Sequence, residues 1–344
     1  MTASREEAQA GTSDTEPLRE GLVIKSQSGF YTLLTDTGAQ VTARIRGRLK
    51  KERSDTTIVA VGDRVLWHRL ERGGPMVEEV LPRERALSRL KPLASGRGSR
   101  RWDRQGYLRE REQVIIANPD QVVFVLACAE PAPRLRMLDR LLVGAERQHI
   151  PALICANKVD LVGLAEARRM FKTYEEIGYP VLYTSAVTGM HVDRLQAQLK
   201  DKISGLIGPS GVGKTSLLNA MEDELGHRVR EVSEATGKGR HTTRVTQLVP
   251  LEVGGWVADT PGIRALALFD LEPEEIEGYF PDIAPYVPDC RFSDCTHRVE
   301  PGCAVQAALE KGKIDQHRYE SYIRLHEEHR KLSDMYWWGI EEET

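Results

Sequence analysis

Ile203-Ser204-Gly205-Leu206-Ile207 is a mainly apolar run, and it leads directly into Gly208-Pro209-Ser210-Gly211-Val212-Gly213-Lys214-Thr215-Ser216. The first five residues read as a buried strand, and Ser216 to Met221 as the opening of a helix. A glycine-rich turn between strand and helix, closed by Lys214 and Thr215, has the pattern of a phosphate-binding loop. Glycines let successive N–H groups turn inward at a helix N-terminus, where negative charge is stabilised. Lys214 is placed to reach the terminal phosphates of a nucleotide, and the Thr215 hydroxyl to ligate Mg2+. A strand–loop–helix unit of this kind belongs to an α/β sheet.

Working outward, Asp259-Thr260-Pro261-Gly262 follows the apolar run Trp256–Ala258, 51 residues after the loop begins. An acid at a strand end suits the Mg2+ side of the site, and Gly262 supplies an N–H for a γ-phosphate. Upstream, Asn157-Lys158-Val159-Asp160 ends the run Ala152–Ala156, and Ser185-Ala186 follows 28 residues later. The Asp160 carboxylate can accept from N1–H and the 2-amino group of guanine, and an N–H near Ala186 can reach O6. Adenine leaves such groups unpaired, which is how a site rejects the wrong base. The set therefore points to GTP and GDP over ATP. Its order is unusual, because the base-reading pair precedes the phosphate loop. Permutation is possible because all parts meet at the carboxyl ends of one sheet. His191–Leu199, with Val192, Leu195 and Leu199 on one face, reads as the helix leading into the phosphate-loop strand.

The remaining sequence frames this centre. The chain has 344 residues, is 40% hydrophobic and 29% charged, and carries a net charge of −3, which suits several globular modules and no membrane span. Residues 1–18 are small and polar, with no apolar stretch for export, and read as a disordered tail of a cytoplasmic protein. Residues 19–85 alternate in period two between turn residues and read as an oligonucleotide-binding (OB) barrel. Its third strand, read as Gln40–Arg48, puts Arg44, Arg46 and Arg48 on one face, with Lys50 and Lys51 beyond. That face is a candidate RNA contact; an ordinary exposed barrel surface is the alternative. Residues 86–112 form a basic linker: Arg83 to Arg111 holds ten Lys/Arg against three Asp/Glu. Residues 113–270, where short apolar runs alternate with helical stretches, read as the permuted α/β domain with a parallel sheet. Residues 271–344 read as a helical domain. It opens on an acidic stretch, with seven acids and no Lys or Arg between Asp270 and Asp289.

Cys290, Cys295, His297 and Cys303 offer three thiolates and an imidazole within fourteen residues. That set suits a tetrahedral, structural Zn2+ site, although the spacing is not that of a common zinc finger. His317, His326 and His329, on a later helical run, read as solvent-facing.

Taken together, the barrel with Val61-Gly62-Asp63-Arg64-Val65, the permuted nucleotide motifs, Gly237-Lys238-Gly239-Arg240-His241-Thr242-Thr243 and the cysteine cluster resemble the RsgA (YjeQ/YloQ) family of GTPases dependent on the small ribosomal subunit. The resemblance covers about residues 20–330. It implies a late assembly factor that binds the small subunit, hydrolyses GTP and leaves; contact with the rRNA, Mg2+ bound with GTP and a monomeric state are further expectations. It implies one zinc per chain on the Cys3His set. It also implies that His241 orients the attacking water, a structural or RNA-facing histidine being the alternative; Thr242 or Thr243, between the loop and Asp259, is placed to reach Mg2+ and the γ-phosphate. Ile263 stands where many GTPases carry a glutamine, and an aliphatic side chain cannot hold water. The competing reading is an RNA-binding, ribosome-associated protein for which nucleotide is only a structural or sensing ligand.

Overall fold

The structure, a computed structural model, describes residues 17–47, 49, 57–70, 73–90, 112–234, 246–259 and 271–341. Arg48, Lys50, Lys51, His241, Thr242, Thr243, Gly262 and Ile263 lie outside the described residues.

Five strands close the N-terminal barrel: β1 (Arg19–Gln27), β2 (Phe30–Thr35), β3 (Gln40–Ile45), β4 (Arg64–Leu70) and β5 (Gly74–Val80). They run β1-β2-β3-β5-β4, and β4 pairs back onto β1. Period-two alternation fills the interior with Val23, Leu33, Ala43, Val65, Trp67 and Val77. β3 ends at Ile45, three residues short of the expected Arg48. Arg44 lies on the solvent face of β3, its guanidinium 4.9 Å from the Phe30 ring, and Arg46, just past the strand, pairs with Glu78. The Val61–Val65 motif proves structural. Gly62 has φ +88, and a Cβ there would lie 1.9 Å from the Ala117 carbonyl oxygen. Asp63 is fully buried and receives Arg83 Nε at 2.7 Å and Arg83 Nη2 at 2.8 Å.

β6 (Ala86–Leu90) and β7 (Glu112–Ala117) pair as an antiparallel ribbon at the two ends of the basic segment. The apolar run Val114–Ile116, within the span 113–270 expected to build the parallel sheet, belongs to this ribbon instead. Its hydrophobicity is used at the junction, where Ile116 joins one core with Ile24 and Val61.

The central sheet has the order β10-β9-β8-β11-β14-β13. Its strands are β8 (Gln121–Ala127), β9 (Ala152–Asn157), β10 (Val181–Tyr183), β11 (Ile203–Ile207), β13 (Val249–Pro250) and β14 (Trp256–Asp259). All pairings are parallel except that of β13. β8 is buried along its whole length, as a central parallel strand must be. Val122, Phe124 and Leu126 face one core, while Val123, Val125 and Ala127 face the other. Helices α1 (Leu135–Arg147) and α2 (Leu164–Ile177) cover the first face. α3 (Val192–Leu199), α4 (Lys214–Met221) and α5 (Leu225–Glu234) cover the second. The two-residue strand β12 (Thr246–Gln247) leaves this sheet and pairs with β1 of the barrel.

Two 3-10 helices, Pro273–Tyr279 and Ala284–Asp289, then α6 (Ala304–Glu310) and α7 (Gln316–Glu341), complete the chain. Ile276, Phe280, Ile283, Val305 and Tyr322 form their core, which Val143 of α1 enters. Beside it, Arg318 of α7 is 1% exposed and donates to Asp139 of α1 and to Asp282, each at 2.8 Å. Removing one partner of a buried pair leaves an uncompensated charge and costs about 3–5 kcal/mol. The cluster therefore locks the last domain to the sheet domain. His326 and His329 are buried in this region, at 6% and 5% exposure, contrary to the solvent-facing reading. The periodicity of α7 hides this, because the helix is covered on several sides.

Candidate functional site

The strands β9, β10, β11 and β14 deliver the motif residues to one edge of the sheet. Asp259 is the last residue of β14, and its backbone lies opposite Leu206 of β11, two residues before the glycine-rich loop. Asn157 ends β9, next to β8 and β10. Motifs scattered over a hundred residues thus meet where a doubly wound sheet places its ligands.

At the base end, side chains interlock. Asn157 is 1% exposed; its Nδ2 donates to the Val212 carbonyl at 2.9 Å. Its Oδ1 accepts from Thr184 Oγ1 at 3.2 Å and from the Ala186 N–H at 3.3 Å. The Ser185 hydroxyl donates to Asp160 Oδ1 at 2.6 Å and accepts from the Thr188 N–H at 3.1 Å. The Asp160 carboxylate is thus held in one orientation by Ser185. Lys158 sits in the left-handed region, φ 64, and its ammonium donates to the Glu130 carbonyl. Val159 is buried beneath this turn and opens a short 3-10 helix with Asp160.

At the phosphate end, backbone conformation dominates. Gly211 and Gly213 take φ of +84 and +95. A Cβ at Gly213 would lie 2.4 Å from Asn157 Nδ2, so the loop packs against the base motif with no room for a side chain. Pro209 and Ser210 cross the turn, Val212 plugs the core beneath it, and Thr215 and Ser216 enter the first turn of α4. Lys214 Nζ donates to the Gly208 carbonyl at 2.6 Å and to that of Pro209 at 3.3 Å.

In the C-terminal domain, the ligand atoms of Cys290, Cys295, His297 and Cys303 all lie within 4.8 Å of one another. Cys290 Sγ is 3.9 Å from Cys303 Sγ, and His297 Nδ1 is 3.5 and 3.4 Å from these two sulfurs. A tetrahedral zinc with Zn–S of about 2.3 Å requires sulfurs about 3.8 Å apart, so the donor set fits that ion. Burial pushes the Cys290 thiol up, but the backbone N–H groups of Val305 and Ala304, together with His297 and Cys303, lower its pKa on balance. Cys303 caps the same helix end, its sulfur accepting from the Gln306 N–H at 3.4 Å. Burial opposes charge on His297, yet hydrogen bonds to Glu277 and Cys303 raise its pKa to about 9. Glu300 ties the ligand loop together, accepting from the N–H groups of Thr296, Arg298 and Val299.

Three contributors had no signature in the sequence: Thr184, which braces Asn157; Glu130, which receives Lys158 through its backbone; and Glu277, which meets His297 from twenty residues upstream. Each acts through a contact between distant positions, and nothing in its own neighbourhood marks it.

A barrel, a permuted phosphate-loop sheet with its guanine motifs, and a Cys3His helical domain define a circularly permuted GTPase. The RsgA N-terminal domain profile matches residues 20–74, and the RsgA GTPase profile matches residues 101–269. The chain is 41% identical over 310 residues to the small ribosomal subunit biogenesis GTPase RsgA of Gemmatimonas aurantiaca, covering 90% of this chain and 96% of that one. Its counterpart in Moorella thermoacetica is 40% identical over 304 residues, covering 88% and 95%. The crystal structure of YjeQ from Thermotoga maritima superposes with a TM-score of 0.71 at 33% identity, over 91% of this chain and 99% of that one. YloQ, described as a circularly permuted GTPase, superposes at 0.67 with 28% identity, over 94% and 99%. This chain belongs to the RsgA GTPase family.

Proposed function

We propose that this chain binds the small ribosomal subunit, acts late in its maturation and leaves when GTP is hydrolysed. The observation that carries the reading is the meeting of Asn157, Asp160, Ser185 and the Gly208–Thr215 loop at one sheet edge, in a family whose members are named for small-subunit biogenesis. In this reading Asp160 and the Ala186 N–H select guanine, the loop N–H groups and Lys214 hold the phosphates, and Thr215 with Asp259 holds Mg2+. The metal supplies charge neutralisation between the phosphates. Thr242 or Thr243 would supply a further ligand to it, the Gly262 N–H would meet the γ-phosphate, and His241 would orient the water.

Cys290, Cys295, His297 and Cys303 bind one structural Zn2+, leaving no open coordination position. Cys295→Ser should abolish zinc in elemental analysis and leave GDP binding intact. Arg44 and Arg46, with Arg48, Lys50 and Lys51, meet rRNA, and the protein works as a cytoplasmic monomer. No described helix is long and apolar enough to cross a membrane.

The test is GTP turnover with and without purified small subunits. Acceleration by small but not large subunits is expected; equal turnover in all three conditions would overturn the reading. On saturating subunits, His241→Ala should lower turnover about 10²-fold or more with little change in GTP affinity, because it acts on the transition state. Unchanged turnover would assign the water to another group.

A further inference from the structure

The acidic stretch Asp270–Asp289 lies outside the nucleotide motifs, and two of its carboxylates are committed to specific partners. Asp282 holds Arg318, as described above. Glu277 Oε2 lies 2.8 Å from Nε2 of His297, whose side chain is fully buried. The opposite ring nitrogen, Nδ1, faces the sulfurs of Cys290 and Cys303. An imidazole that binds a metal is neutral and carries one proton, and the partner of one nitrogen decides which nitrogen keeps its lone pair. A carboxylate accepts only, so it takes the proton on Nε2 and leaves Nδ1 as the donor to a metal. Ile276 and Phe280 are both 0% exposed and anchor the turn that carries Glu277, so the carboxylate is presented from a fixed backbone.

We propose that Glu277 is the positioning residue of the metal centre: it sets His297 to coordinate through Nδ1 and ties the cysteine loops to the 3-10 helix Pro273–Tyr279. The inference rests on the zinc reading above and extends it. The same tie makes metal loading and the placement of that helix one event. Pro273–Tyr279 is the first element described after β14, so the metal centre organises the segment by which the sheet domain passes into the last domain.

The test uses the full-length chain and Glu277→Ala, Glu277→Gln and Glu274→Ala. Glu274 lies on the same 3-10 helix and is exposed, so it controls for simple loss of an acid. Zinc affinity is measured by competition with a chromogenic chelator, and ligand geometry by the visible d–d bands of the cobalt(II)-loaded protein. Loss of such an outer partner typically weakens metal binding about 10–100-fold. Glu277→Ala should show that loss together with altered cobalt bands. Glu277→Gln retains an acceptor for Nε2–H, and should keep the bands while losing part of the affinity. Glu274→Ala should match the parent in both. Parent-like affinity and bands in Glu277→Ala would overturn the inference. So would equal destabilisation of the zinc-loaded and metal-free forms in thermal melts, the mark of a role in packing alone. A parent chain that fails to bind zinc overturns the metal reading itself, a different result from parent-like variants.

Discussion

The base end and the phosphate end of the nucleotide site meet at Gly213 but are built differently. The base end is a lattice of side chains from β9, the turn after β10 and the 3-10 turn at Asp160, each holding the next. The phosphate end is a backbone shape, set by Gly211 and Gly213 at positive φ, with one long side chain folded over its own carbonyls. On the proposed function, the side-chain lattice would encode which base enters. A backbone cradle encodes only that a phosphate enters, since N–H groups read charge and not identity. Selectivity and turnover should therefore respond to different substitutions.

The largest expected effect is on selectivity. Asp160→Asn presents an amide where guanine needs an acceptor, and should shift preference between guanine and xanthine nucleotides by about 10⁴-fold. Ser185 Oγ still has an oxygen to donate to, so the amide stays oriented. Competitive titration of GDP against XDP measures the shift, and retained guanine preference would break the comparison at its base end.

Lys214→Ala should act on rate, lowering single-turnover GTP hydrolysis by about 10²–10³-fold, the scale on which loss of one charge-stabilising donor is felt. The GTP/ATP affinity ratio should hold, because no base-reading group has moved. A changed ratio would show that the two ends are not separable.

Gly213→Ala probes the junction. The new Cβ meets Asn157 and must adopt a strained φ, a cost of roughly 1–3 kcal/mol. Both base preference and phosphate affinity should decline together, as isothermal titration with GDP, ADP and pyrophosphate would show. Loss confined to one end would refute the junction.

The smallest effect is expected from Thr184→Val, which keeps shape and removes the hydroxyl that braces Asn157. One net hydrogen bond is worth about 0.5–1.5 kcal/mol. GDP should bind a few-fold to about tenfold more weakly, with the pyrophosphate affinity unchanged.

Much of this site was legible because its chemistry is local in sequence. Gly208–Thr215 and Asn157–Asp160 are contiguous, and each needs only its flanking strand to be recognised. The Cys3His set is similarly compact. The bracing groups were not legible: Thr184 and Glu277 are ordinary residues until the fold puts them beside Asn157 and His297. Strand assignments failed where hydrophobicity served a junction. Val114–Ile116 is as apolar as a central strand, but its apolar side chains seal the ribbon against the barrel. His326 and His329 were misplaced because polarity along α7 suggested solvent, whereas burial there follows from neighbours far away in sequence.

The barrel sheet does not end with barrel residues. Thr246 and Gln247 extend it along β1, the Leu248 N–H donates to the Ile24 carbonyl at 2.9 Å, and Leu248 shares a core with Ile24 and Val61. The sheet that begins in the barrel therefore extends past a module boundary drawn near residue 85. A fragment cut there would carry an uncapped strand edge next to a bared apolar seam, the combination that invites edge-to-edge association. The last piece of the barrel is made some 160 residues after its fifth strand ends, so during synthesis this edge waits until most of the sheet domain has emerged.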